Sequence, residues 1–287
     1  MPDRNLENLL KLYNPWWKNP EGQWRNDLPD YQRPIVSEIL SDIAELPQMV
    51  SITGPRRVGK TTALRQVICN LLDVQKVAPA HILYFSFDDP EVFGSEELQR
   101  VIFDRLVERT KTSPGAKPSW YFFLDEIQRL PKWELYLKKY YDLKFPIRFI
   151  LSGSASSAIF RNSQESLLGR IKDRHLLPFS FREFCFYKLR KRSAFASAVA
   201  EHSDIRRLLM EGKGKDIVES IDALEEKLTL FEKDIGDAVI SYCREGGFPE
   251  VWTLYDPVRK IEYLMEQQVR KVLYEDLMAL TQYRKPE

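Results

Sequence analysis

Cysteine is scarce in this chain: Cys69, Cys185 and Cys243 are the only three among 287 residues. Their wide spacing forms no metal-ligand pattern, and an odd count argues against a disulfide framework. A reducing cytosol fits such usage. Histidine is as rare, with three scattered residues that suggest no metal site. Neither sign of charge is in excess, since 43 Lys and Arg face 42 Asp and Glu. That balance disfavours a basic coat for nucleic acid and leaves only a local patch to consider. No apolar run is long enough to cross a bilayer, so no membrane partner is expected. The N-terminus is charged and Trp-rich, unlike a signal peptide. Internal repeats and low-complexity segments are missing too.

What is present is an alternation of strands and helices. Residues 1–33 read as an irregular lead-in, rich in Pro, Asn and Trp ("NPWWKNPEGQW"), with Trp16, Trp17 and Trp24 packing it onto the domain behind. An amphipathic helix follows at 34–46. Short apolar runs at 49–53, 81–87, 120–126 and 147–154 predict buried strands, and a fifth is expected near 173–180. Helical spacing falls between them, at 61–72, from Ser95 to about Arg109, and at 133–141. Strands each followed by a helix imply a three-layer α/β/α fold with a parallel sheet. From Phe181 onward every pattern is helical. The expected organisation is a lead-in (1–33), an α/β domain (34–180) and a small all-helical domain (181–287).

Three stretches carry chemistry. Gly54-Pro55-Arg56-Arg57-Val58-Gly59-Lys60-Thr61, followed by Thr62, lies between a strand and a helix. Such a loop turns successive N–H groups toward phosphate oxygens. Lys60 would then reach the β- and γ-phosphates of a nucleotide, and the Thr61 hydroxyl would ligate Mg²⁺. In "WYFFLDEIQ" a buried strand ends in Asp125 and Glu126. Paired carboxylates there are costly without a nearby cation. Asp125 would hold Mg²⁺, and Glu126 would act as general base on an attacking water. A helix-capping pair is the competing reading. In "FILSGSASS" a strand ends in small polar residues. Beside the glycine-loop strand, Ser152 or Ser154 would reach the γ-phosphate or the water; a plain Ser/Gly turn competes.

The ordered set "ITGPRRVGKTT", "LDEIQ", "LSGSASS", "LLGR", "LPFSFREF" and "EGGFPEVW" resembles the AAA-type P-loop ATPases of prokaryotes, relatives of the STAND regulatory ATPases. The resemblance covers roughly residues 31–285. It implies a sheet in the AAA+ order, ATP and Mg²⁺ as cofactors, and a sensor position at Ser152 to Ser154. It also implies a transition-state role for Arg170, in cis or from a neighbouring subunit, against a surface arginine at a helix end. Pro249 resembles the proline by which STAND helical domains touch adenine, against a helix breaker. Arg33 sits where AAA-type proteins often line the base. Two departures stand out. Family members run on past "KVLYEDLMAL", whereas this chain stops at Glu287, as a truncated product or a minimal version would. The Trp-rich lead-in is not a general feature either.

Asp88 and Asp89 read as turn caps, and Arg56 and Arg57 as loop charge or a face for a partner domain. Lys188-Leu-Arg-Lys-Arg192 reads as a solvated helix end or a phosphate contact. Three functions remain on this reading. The first is an ATP-hydrolysing AAA-type ATPase whose helical domain relays nucleotide state to a protein partner or a second copy. The second is a DNA-associated AAA ATPase, which the charge balance does not support. The third is a nucleotide-binding scaffold without turnover, for which Glu126 would be superfluous.

Overall fold

The computed structural model describes residues 3–92, 94–110, 120–154, 167–200 and 205–270. The first compact unit contains residues 1–177 and, of the later described residues, 262–270; the second spans Pro178–Ile261. The division therefore falls just before the expected boundary at 181.

The first unit is built on five parallel strands: β1 (Met49–Gly54), β2 (Ile82–Ser86), β3 (Trp120–Asp125), β4 (Ile147–Ser154) and β5 (Ile171–His175). Their order is β2-β3-β4-β1-β5. All six residues of β1 are buried, as a strand between two parallel neighbours requires. Five helices accompany the sheet: α1 (Asp3–Tyr13), α2 (Pro34–Glu45), α3 (Lys60–Asp73), α4 (Glu96–Glu108) and α5 (Trp133–Asp142). One core joins Leu6, Leu9 and Leu10 of α1, Phe103 and Leu106 of α4, and Trp133 and Leu137 of α5. It includes Leu83, Phe85, Phe122, Leu124, Phe149 and Leu151 from the sheet. Residues of opposite parity, such as Val50, Ile52, Tyr84, Phe123 and Ile150, are also buried. Alternation along each strand places them on the other face. Ser95 caps α4 by accepting from the Leu98 N–H, and Glu96 and Glu97 suit its positive N-terminal end.

The lead-in is more ordered than its composition suggests. Leu6, Leu9 and Leu10 share one helical face, which buries α1. Beyond it, β2 is the edge strand of the sheet, and an open edge leaves backbone groups unpaired. Asn14 closes part of it. Its amide donates to the Tyr84 carbonyl at 2.9 Å and its Oδ1 accepts from the Tyr84 N–H at 2.6 Å. Both indole N–H groups of Trp16 and Trp17 donate to the Ile82 carbonyl. Asn14→Ala should strand two buried backbone groups. The expected loss is about 1–3 kcal/mol, read by urea denaturation. An unchanged midpoint would mean that the lead-in does not seal this edge.

The second unit is helical: α6 (Phe181–Leu189), α7 (Ser193–Ala200), α8 (Ile205–Met210), α9 (Gly214–Thr229), α10 (Glu232–Glu245) and α11 (Pro257–Leu264), the last crossing out of it. Ser180 and Glu183 form a reciprocal capping box that starts α6. Its core holds Phe184, Cys185, Leu189, Phe195, Phe231 and Ala238. No helix among the described residues is long and apolar enough to cross a membrane.

Candidate functional site

The glycine loop leaves β1 at Gly54 and enters α3 at Lys60. A Cβ on Gly54 would lie 2.1 Å from the Leu176 carbonyl oxygen, so only glycine fits there. Gly59 precedes the helix with φ of 96°, a conformation that L side chains rarely adopt. Val58 is fully buried and anchors the loop. Arg33, itself buried, donates through Nη1 to the Val58 carbonyl at 3.1 Å and the Leu177 carbonyl at 2.9 Å. The Lys60 ammonium lies beneath the loop, donating to the carbonyls of Gly54 (3.0 Å) and Pro55 (2.9 Å). Arg56 is half-buried; Arg57 is exposed, with φ of 64°, and donates to the Tyr263 hydroxyl. Thr61 and Thr62 occupy the first turn of α3.

Parallel register brings the other residues to the same end of the sheet. β4 pairs with β1 and with β3, so it lies between the glycine loop and Asp125. Asp125 is only 4% exposed and carries four donors. Its Oδ2 accepts from the Thr61 hydroxyl and from the Tyr84 hydroxyl, each at 2.7 Å. Its Oδ1 accepts from the Ser152 hydroxyl and from the Glu126 N–H. A hydroxyl and a carboxylate oxygen side by side beneath a phosphate-type loop are hard donors, which suit Mg²⁺.

Glu126 has φ of 50° and accepts from the Gln128 amide. Burial raises its pKa, the Asp125 charge adds to the rise, and Lys60 and Gln128 offset part of it. A carboxylate so perturbed is a better proton acceptor than a solvated one. Burial, and next the Asp125 charge, push the Tyr84 phenol well above its ordinary range, so it remains a donor.

Loop, Lys60, Thr61, Asp125 and Glu126 therefore converge, with Arg33 as a brace on the loop. The remaining expectations fare differently. Ser152 is fully buried and donates its hydroxyl to Asp125. Ser154 pairs with Gly54 at the strand end, and its side chain lies outside the described residues. Arg170 is a correction to the in-cis reading. Its carbonyl accepts from the Met49 N–H at the beginning of β1, while the glycine loop leaves the other end. The six residues of β1 separate those ends by roughly 16 Å. The Arg170 guanidinium pairs instead with Asp142. Arg170→Ala in dilute chain should leave hydrolysis unchanged; a slowed rate would restore a catalytic role. Pro249 lies in the second unit, opening the short helix Pro249–Thr253, where Trp252 packs on Phe184.

Asp89 caps a turn, accepting from the Glu91 N–H, and takes the Tyr13 hydroxyl at 2.6 Å. In the helical unit Lys188 lies 4.0 Å from Glu245, and Arg192 pairs with Asp234. Among the described residues no three His, Cys, Asp or Glu cluster as a metal cage. Tyr84 and Gln128 were missed from sequence. Gln128 had a signal, two residues beyond Glu126 in "LDEIQ"; Tyr84 had none.

This sheet order and loop define the AAA-type P-loop class. Residues 46–185, just under half of the chain, match the family described as "AAA domain". Among curated proteins it is 24% identical over 238 residues to the uncharacterized protein MJ1544 of Methanocaldococcus jannaschii. It is 22% identical over 241 residues to MJ1637 of that organism, also uncharacterized. These alignments cover 83% and 82% of this chain but 44% and 45% of the relatives, so the chain spans less than half their length. Among solved structures, PCH-2 of C. elegans superposes with a TM-score of 0.41 at 15% identity. That match covers 63% of this chain and 50% of the other.

Proposed function

We propose that this chain binds Mg²⁺-ATP on residues 54–62 and hydrolyses it to ADP and phosphate, its helical unit passing the nucleotide state to a protein partner or a second copy. The observation that carries the reading is Asp125, buried, with the Thr61 hydroxyl 2.7 Å away and Glu126 beside it. Bound Mg²⁺ would neutralise phosphate charge and polarise the bond that breaks. Thr61 and Asp125 would hold it. The loop N–H groups and the α3 N-terminus would orient the phosphates. Lys60 would exchange its two carbonyl partners for phosphate oxygens. Glu126 would take the proton from the attacking water, with Gln128 fixing the carboxylate. The water oxygen bonds to the γ-phosphorus as the bond to the β-phosphate oxygen breaks, and ADP leaves.

Sedimentation with ADP and with a non-hydrolysable ATP analogue, beside a steady-state ATPase assay, tests the reading. A switch should change shape or association state between the two nucleotides and turn over slowly. One sedimentation profile and no turnover would leave only a scaffold. A salt-dependent shift of duplex or single-stranded DNA would favour the DNA-associated reading instead.

A further inference from the structure

We infer that Tyr84 is a positioning residue for the metal site, holding through its hydroxyl the Asp125 oxygen that Thr61 also touches. The inference rests on the proposed role of Asp125 as a Mg²⁺ ligand. The two carboxylate oxygens are dressed differently. Oδ1 is turned inward by Ser152 and the Glu126 N–H, whereas Oδ2 faces Thr61 and receives Tyr84 at 2.7 Å. Oδ2 is therefore the oxygen next to the other candidate ligand, and Tyr84 fixes its direction.

The register explains how a residue on another strand reaches it. Tyr84 pairs with Phe123 and Ser86 with Asp125, so Tyr84 and Asp125 share a face of the sheet two positions apart. Only a long side chain leaning along the strand spans that diagonal. The ring has two neighbours: the Tyr13 ring lies 6.0 Å away, and the Arg65 guanidinium sits 6.0 Å from the Tyr84 centroid. Asn14 clamps the Tyr84 backbone through both its N–H and its carbonyl. A contact in the lead-in thus reaches the metal site through a single residue. Partners that orient metal-binding carboxylates are worth about 10- to 100-fold in metal affinity.

The test uses the full chain and Tyr84→Phe, which keeps the ring and removes the hydroxyl. A fluorescent ATP analogue is titrated with Mg²⁺ and with EDTA, and Mn²⁺ binding is followed by electron paramagnetic resonance. Tyr84→Phe should weaken Mn²⁺ binding and the Mg²⁺-dependent gain in nucleotide affinity by about 10-fold or more, leaving affinity in EDTA unchanged. Asp125→Asn should abolish the gain, and adding Tyr84→Phe to it should cost nothing further. If Asp125→Asn acts and Tyr84→Phe does not, the inference falls and the metal role stands. If Asp125→Asn has no effect, the metal role itself falls and takes the inference with it. Should Tyr84→Phe not fold, 3-fluorotyrosine at position 84 changes only the strength of the donor, and unchanged Mn²⁺ affinity would overturn the proposal.

Discussion

Glu126→Gln should bind ATP and keep it. The amide is isosteric, so Asp125 retains Ser152, Thr61 and Tyr84, and the loop retains its shape. Gln128 can still donate to the amide oxygen at position 126. Only the proton acceptor is lost. Removing a general base costs about 10²- to 10⁴-fold in rate, so the purified variant should carry intact ATP where the wild type carries ADP. Stability should move the other way. The folded protein raises the Glu126 pKa, chiefly through burial. A raised carboxyl binds its proton more tightly folded than unfolded, so its stabilising contribution is present at low pH. That contribution is lost as pH rises through the folded-state pKa. At a pH where the side chain is ionised it is therefore a burden, and there the amide should match or exceed the wild-type Tm. The difference should shrink as pH falls into the ordinary carboxylate range. Equal turnover in the two proteins would remove Glu126 from the chemistry.

Lys60→Ala should nearly abolish nucleotide binding. Lys60 is buried, 6% exposed, and its ammonium already donates to the loop carbonyls of Gly54 and Pro55. Two charge-assisted bonds to phosphate, at about 1.5–3 kcal/mol each, correspond to a loss of roughly 100-fold or more in affinity. Lys60 is also part of the packed interior. Removing it also leaves two loop carbonyls without these donors, so a lowered Tm is expected, with the fold retained in circular dichroism. Unchanged affinity for a fluorescent ATP analogue would overturn the phosphate-binding assignment.

The parts of this site that were legible are local in sequence. The glycine loop and the Asp125-Glu126 pair each announce themselves within a few residues, because a strand end followed by a helix is a local pattern. Tyr84 did not. In "HILYFSF" it is one more apolar residue of a buried strand, and its partner Asp125 is 41 residues away across the sheet. Asn14 is further still, 70 residues from the backbone it closes, and only the edge position of β2 gives it a task. Arg170 shows the converse. A motif near a strand looks promising until register says which end of the strand it precedes. Parallel pairing of β5 with β1 sets Met49 opposite Ile171, which leaves Arg170 at the far end. The lead-in helix is hidden in the sequence because Pro, Asn and Trp crowd residues 14–24, while the helical spacing lies just before them in Leu6, Leu9 and Leu10.

The most direct test of hydrolysis at this site is single-turnover cleavage of γ-labelled ATP by the wild-type chain with Mg²⁺, followed across pH. Phosphate should be released, with a rate that rises with pH as Glu126 gives up its proton and becomes a base. That limb should vanish in Glu126→Gln. ATP that stays bound and intact at every pH in the wild type would contradict the account.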